Sequence, residues 1–116
     1  MWSVDLERIK EWLVTLDTDS RAQVVAAIEL LEGEGPNLGR PLVDTLSGSR
    51  HRNMKELRPG SSGRSELRII FAFDPKRKAI MLLADNKVGK WTRWYKENIP
   101  LADDMFDEHL RNLRRE

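Results

Sequence analysis

The sequence predicts an α+β fold: a helical hairpin packed on a twisted antiparallel sheet of three to four strands, with a C-terminal helix. Three observations lead there. Apolar residues recur at helical spacing in the first third and again near the C-terminus. Between residues 66 and 74 the period changes to two. Clusters of turn-forming residues, Gly33–Pro36, Pro59–Gly63 and Asp74–Lys78, separate these stretches. At 116 residues, with no internal repeat, linker or low-complexity tract, the chain reads as one domain over 1–116.

Each element has a local reason. Ile9, Trp12, Leu13 and Leu16 fall at i, i+3, i+4 and i+7, so residues 4–16 form one apolar-striped helix. Ahead of it, Trp2 to Val4 could add a short edge strand. Asp17, Thr18, Asp19 and Ser20 supply N-cap oxygens and negative charge for a second helix over 20–32. Val24, Val25, Ile28 and Leu31 line its buried face, and Ala22, Ala26 and Ala27 allow close approach. Three strands follow at 53–58, 66–74 and 79–84, joined by tight turns. In the middle one, Leu67, Ile69, Phe71 and Phe73 share one face. Glu66, Arg68, Ile70 and Ala72 share the other, together with Glu56 and Arg58 of the strand before. That second face is expected to stay partly open. Pro100 starts the last helix, striped by Ala102, Met105, Phe106, Leu110 and Leu113. Asp103 and Asp104 suit its first turn, and Arg111, Arg114 and Arg115 its last.

Composition excludes several chemistries. There are no cysteines, hence no disulfide, thiolate metal site or Cys nucleophile, which fits a reducing cytoplasm. The two histidines, His51 and His109, are too few and too far apart in sequence for a metal site. No apolar run is long enough for a membrane span, and the charged opening residues do not read as a signal peptide. Phosphate-loop, dinucleotide, serine-elbow and zinc-helix motifs are all missing, and no cofactor is implied.

Charge is informative through its distribution. The net charge is +1, but residues 41–96 hold thirteen Lys/Arg against five Asp/Glu, between two acidic ends. Such a basic middle concentrates anions, nucleic acid first among them. His51, Arg52, Lys55, Arg58, Arg68, Lys87 and Lys90 lie at or near strand ends and could converge on one sheet face. Cations gathered there would hold phosphate. They could also assist cleavage of RNA by its own 2′-hydroxyl, which needs in-line positioning, charge stabilisation and proton transfer. Arg58 and Arg68 suit the clamp. Lys87 or Lys90, crowded by other cations, suits proton transfer. Plainer readings stand beside these. On these, Arg58 pairs with Glu56 or Glu66, His51 is solvated, His109 is a boundary residue beside the apolar stripe of the last helix, and Trp91, Trp94 and Tyr95, at i, i+3 and i+4, form core or interface packing rather than a base-stacking platform.

Several motifs together resemble the HigB-like branch of the RelE/ParE toxin superfamily. They are Leu31-Glu32-Gly33-Glu34-Gly35-Pro36-Asn37-Leu38-Gly39-Arg40-Pro41, Lys55-Glu56-Leu57-Arg58, the run from Arg68 through Asp74-Pro75, and Asp85-Asn86-Lys87-Val88-Gly89-Lys90. They occur in the family's order between about residues 9 and 110. The resemblance implies the toxin of a bacterial type II toxin–antitoxin module. Many members cleave mRNA on the ribosome without a metal and leave a 2′,3′-cyclic phosphate; others poison gyrase. It further implies Arg58 and Arg68 on the scissile phosphate and Lys87 at the proton-transfer position. Lys55, Arg52, Lys90 and Arg93 would be additional substrate contacts. The partner would be a helix-turn-helix antitoxin, through which alone the toxin would meet operator DNA. Two features depart from the pattern: a clipped first strand, and a longer C-terminal part beginning with the aromatic run Trp91 to Tyr95.

Overall fold

The alternating stretch forms the centre of a five-stranded sheet. In a computed structural model that describes residues 1–60, 63 and 65–116, the strands are β1 (Ser3–Asp5), β2 (Val43–Thr45), β3 (Met54–Leu57), β4 (Leu67–Phe73) and β5 (Lys78–Asn86). The spatial order is β1-β5-β4-β3-β2. All pairings are antiparallel except β1 with β5, which is parallel. The short edge strand at the N-terminus is therefore present, and β2 is a strand that periodicity could not show in three residues. The turn proposed at Pro59–Gly63 includes Ser61 and Ser62, which lie outside the described residues.

Period-two alternation divides the sheet into two apolar faces. Leu67, Ile69 and Phe71 pack with Leu57, Met81 and the helices α1 (Lys10–Val14) and α2 (Thr18–Glu34). Ile70 and Ala72 pack with Met54, Ile80 and Leu82 against the third helix, α3 (Trp91–Arg114). The second face is thus largely covered rather than open, because α3 supplies Trp94, Ile99, Ala102 and Phe106 to it. A bulge between Ile70 and Phe71 in the β4–β5 ladder keeps both strands in phase with their faces beyond it.

The helices depart from expectation in detail. Residues 4–16 are a strand end, a 3-10 turn over Glu7–Ile9 and the five-residue α1, although Ile9, Trp12, Leu13 and Leu16 do pack inward. The C-terminal carbonyls of α1 are met by Arg21 of α2, whose guanidinium donates to Leu13, Val14 and Leu16 oxygens. Asp17 caps α2 by accepting from the Ser20 N–H. On α2, Val24, Ala27, Ile28 and Leu31 are buried, while Val25, Ala22 and Ala26 face solvent. The buried positions fall at i, i+3, i+4 and i+7, and Val25 lies one residue off that stripe.

Pro100 does not begin a helix. It lies inside α3, which runs from Trp91. A mid-helix proline costs about 3 kcal/mol. Burial of Trp94 and Ile99 before it and Ala102 and Phe106 after it on one sheet face outweighs that cost. Asp103 is consequently not in a first turn. It is buried and accepts from Ser49 Oγ and the Arg50 N–H, fixing the loop before β3 to α3. His51 is held in the same network, its Nε2 2.7 Å from Asp107 Oδ1, and its ring meets Phe106 edge-on. Arg50 and His51 together hold the Asp107 carboxyl below the usual range. His109 likewise reaches buried Asp74 at 2.8 Å. Both histidines therefore clamp α3 to the rest of the fold: His51 is not simply solvated, and His109 is partly buried against Phe106 at the edge of the apolar stripe.

Candidate functional site

The end of the α3-covered face, where β3 stops and β4 begins, gathers the polar residues that alternation sends there. Glu56 pairs with Ile70 and Arg68 with Asp85 in the strand register. One step further, the Lys87 N–H donates to the Glu66 carbonyl, continuing the same ladder. Arg58, Arg68 and Lys87 consequently share one face and one end, as the sequence suggested.

Each of the first charges there has company. Arg58 Nε donates to Glu56 Oε1 at 2.7 Å, and its Nη2 lies 3.3 Å from Asp44 Oδ2. Burial works against the charged guanidinium, but the two carboxylates prevail and its pKa rises. Lys87 is buried, donates to Glu66 Oε2 at 3.0 Å, and lies under the rings of Trp91 and Tyr95 at 4.8 and 5.5 Å. Its neighbours are thus a carboxylate and two aromatic rings, not the crowd of cations anticipated from sequence. Arg68 donates from Nη1 to the Leu67 carbonyl, and its cross-strand partner is Asp85. Asp85 also accepts from Lys90 Nζ at 3.3 Å and Trp94 Nε1 at 3.1 Å.

The other anticipated contacts divide. Lys90 belongs to this end through Asp85. Arg93, on the exposed side of α3, lies 3.8 Å from Glu97. Arg52 is exposed in the loop before β3. Lys55 points to the opposite face of the sheet, in register with Phe71, and donates to Thr45 Oγ1. The period of two dictates that outcome, since Lys55 and Glu56 are sequence neighbours.

A cleft of about 360 Å³ opens beside these groups, lined by Asp44, Thr45, Glu56, Arg58, Thr92 and Tyr95 among others. A second, of about 270 Å³, shares Ser47, Thr92, Tyr95 and Ile99 with it and extends to Lys96 and Pro100. Glu56 is only 1% exposed, yet its Oε2 has no hydrogen-bond partner. Arg68 Nε is the other such atom among the described residues. Buried polar atoms are nearly always paired, so an unmet acceptor and an unmet donor in adjoining strands single this spot out; both atoms are closed to solvent, and the Tyr95 hydroxyl is the polar group beside both side chains. Tyr95 feels both. Burial first, and then Glu56, push its hydroxyl up to about 12, while Arg68 pulls the other way. Sequence reading assigned neither Glu56 nor Tyr95 a part in the site. The signal for Glu56 was its parity with Arg58 and Arg68; for Tyr95 it was only its helical spacing from Trp91, since its position depends on how α3 docks.

Residues 11–107 match the family described as "Phage derived protein Gp49-like (DUF891)". The chain belongs to this family. Among curated proteins it is 66% identical over 109 residues to "Putative toxin HigB2" of Mycobacterium tuberculosis, covering 94% of this chain and 54% of that protein. It is 50% identical over 105 residues to "Putative toxin HigB3" of the same organism, covering 90% of each. The chain thus spans about half the length of the first relative and nearly all of the second. It is a HigB-like member, as its motifs suggested, and both relatives span the strands that carry Arg58, Arg68 and Lys87.

Proposed function

We propose that this chain is the toxin of a bacterial type II toxin–antitoxin module and cleaves messenger RNA on the ribosome. The observation that carries the reading is the meeting of Arg58, Arg68 and Lys87 at one end of one face, beside a cleft that Glu56 and Arg58 help to line. The toxin names of both relatives support it. In this reading Arg58 and Arg68 hold the scissile phosphate. Glu56, which helps to line the cleft, takes the proton from the 2′-hydroxyl as that oxygen bonds to phosphorus. The bond to the 5′-oxygen breaks, and the Lys87 ammonium supplies the proton it needs, leaving a 2′,3′-cyclic phosphate and a 5′-hydroxyl. The charge stabilisation comes from side chains. A cognate antitoxin with a helix-turn-helix domain is the expected partner and the expected link to operator DNA.

Growth after induction, together with mapping of RNA ends, tests this. Arg68→Ala and Lys87→Ala should restore growth and abolish new 5′-hydroxyl ends in translated messages, with circular dichroism unchanged. Folded variants as toxic as the parent would overturn these roles. The carboxylates already paired with Arg58 and Lys87 favour a second reading, a toxin that acts by binding alone. Toxicity with intact transcripts and DNA breaks would point to gyrase and select that reading.

A further inference from the structure

The aromatic run at the start of α3 is split by the fold. Trp94 is buried and Tyr95 half-buried, but Trp91 is 56% exposed, the only exposed aromatic among the described residues. It also holds a left-handed backbone, φ 44°, directly after the Gly89 turn at φ 77°. A bulky residue rarely sits there without a reason. Its ring covers the Lys87 ammonium at 4.8 Å, so the indole carries a cation against it on the protein side and is open to solvent. Tyr95, one helical turn on, places Trp91 within a turn of the cleft that holds Glu56 and Arg58. Lys90, Arg93 and Lys96 surround this position in sequence. A flat, water-exposed, apolar ring bordered by cations fits one ligand chemistry well: an unpaired nucleobase attached to its phosphate.

Resting on the ribonuclease reading, we infer that Trp91 is a positioning residue on which a base of single-stranded RNA stacks, next to the phosphate engaged by Arg58 and Arg68. The ring supplies a π-face that every base can use, so the contact sets affinity and register rather than sequence. Lys87, beneath the ring, ties the platform to the reacting centre.

The experiment measures binding of a 2′-O-methylated oligonucleotide of mixed sequence, which lacks the attacking hydroxyl, at one fixed salt concentration. Wild type is compared with Trp91→Leu and Trp91→Phe, with thermal melting as the fold control. Leucine keeps apolar bulk without a π-face, and should weaken binding about 5- to 100-fold, whereas phenylalanine should stay within a few fold of wild type. Quenching of tryptophan emission by the oligonucleotide should be reduced in Trp91→Phe. On cleavable RNA, Trp91→Leu should raise KM more than it lowers kcat. Wild-type affinity in Trp91→Leu would overturn the stacking inference and leave the ribonuclease reading standing. Loss of binding to a protein partner alone would do the same and assign the ring to that partner. A wild-type chain that neither binds nor cuts RNA would overturn both.

Discussion

Tyr95 is the only tyrosine in the chain, so the tyrosinate absorbance band reports one residue at the heart of the site. An unfolded chain should titrate at the ordinary value of 10, and the folded chain at about 12. Burial is the main cause, Glu56 adds to it and Arg68 opposes it. At pH 11 roughly nine tenths of the unfolded chain would carry tyrosinate, but only about one tenth of the folded chain. The sign follows directly. A folded-state value above the unfolded one means that this contribution to stability is complete below pH 10 and is lost as pH climbs towards 12. Taken at face value the difference corresponds to ~2–3 kcal/mol; Tyr95 is only half-buried, so ~1–2 kcal/mol is the better expectation. The assay is a spectrophotometric titration with circular dichroism followed in parallel, repeated on two variants. Glu56→Gln removes a charge that opposes ionisation and should bring the midpoint down. Arg68→Ala removes one that favours it and should raise the midpoint further. A native-chain midpoint at 10, or variants moving in the opposite directions, would refute this arrangement of Glu56, Tyr95 and Arg68.

Two further predictions concern the scaffold. Trp94→Ala deletes the largest fully buried side chain, removes the hydrogen bond to Asp85 and should cost ~3–5 kcal/mol in urea unfolding; a loss below about 1 kcal/mol would mean that α3 is held elsewhere. Gly35→Ala places a Cβ 2.4 Å from the Trp2 indole at a residue with φ 57°, and should lower thermal stability by at least ~1–2 kcal/mol, with an unchanged melting temperature arguing against the packed position of Trp2.

Much of the site could be read from parity. Once residues 66–74 alternate, Glu66, Arg68 and Ile70 must share a face, and antiparallel pairing brings Glu56, Arg58, Asp85 and Lys87 to it. The same rule should have removed Lys55, whose inclusion followed charge and neglected facing. Charge counting also misjudged the local field. A basic middle segment can still arrange its cations as pairs, and Arg58 with Glu56 or Lys87 with Glu66 needed a register to be recognised. The longest error was at Pro100, where a residue that usually opens helices was overruled by apolar burial on both sides. Strands of three residues, such as β2, carry too little periodicity to be seen at all. Val25 misled because α2 carries apolar residues on its outer side as well.

The parallel edge pairing has a kinetic side. β3, β4 and β5 are linked in sequence and can zip from their turns, but residue 3 finds its partner only at residue 78. Closing so long a loop costs entropy that few contacts repay, because β1 has three residues. On this topology the meander is the nucleus and the N-terminal edge docks late. During synthesis, therefore, β1 leaves the ribosome well before β5, the strand it pairs with, has been made.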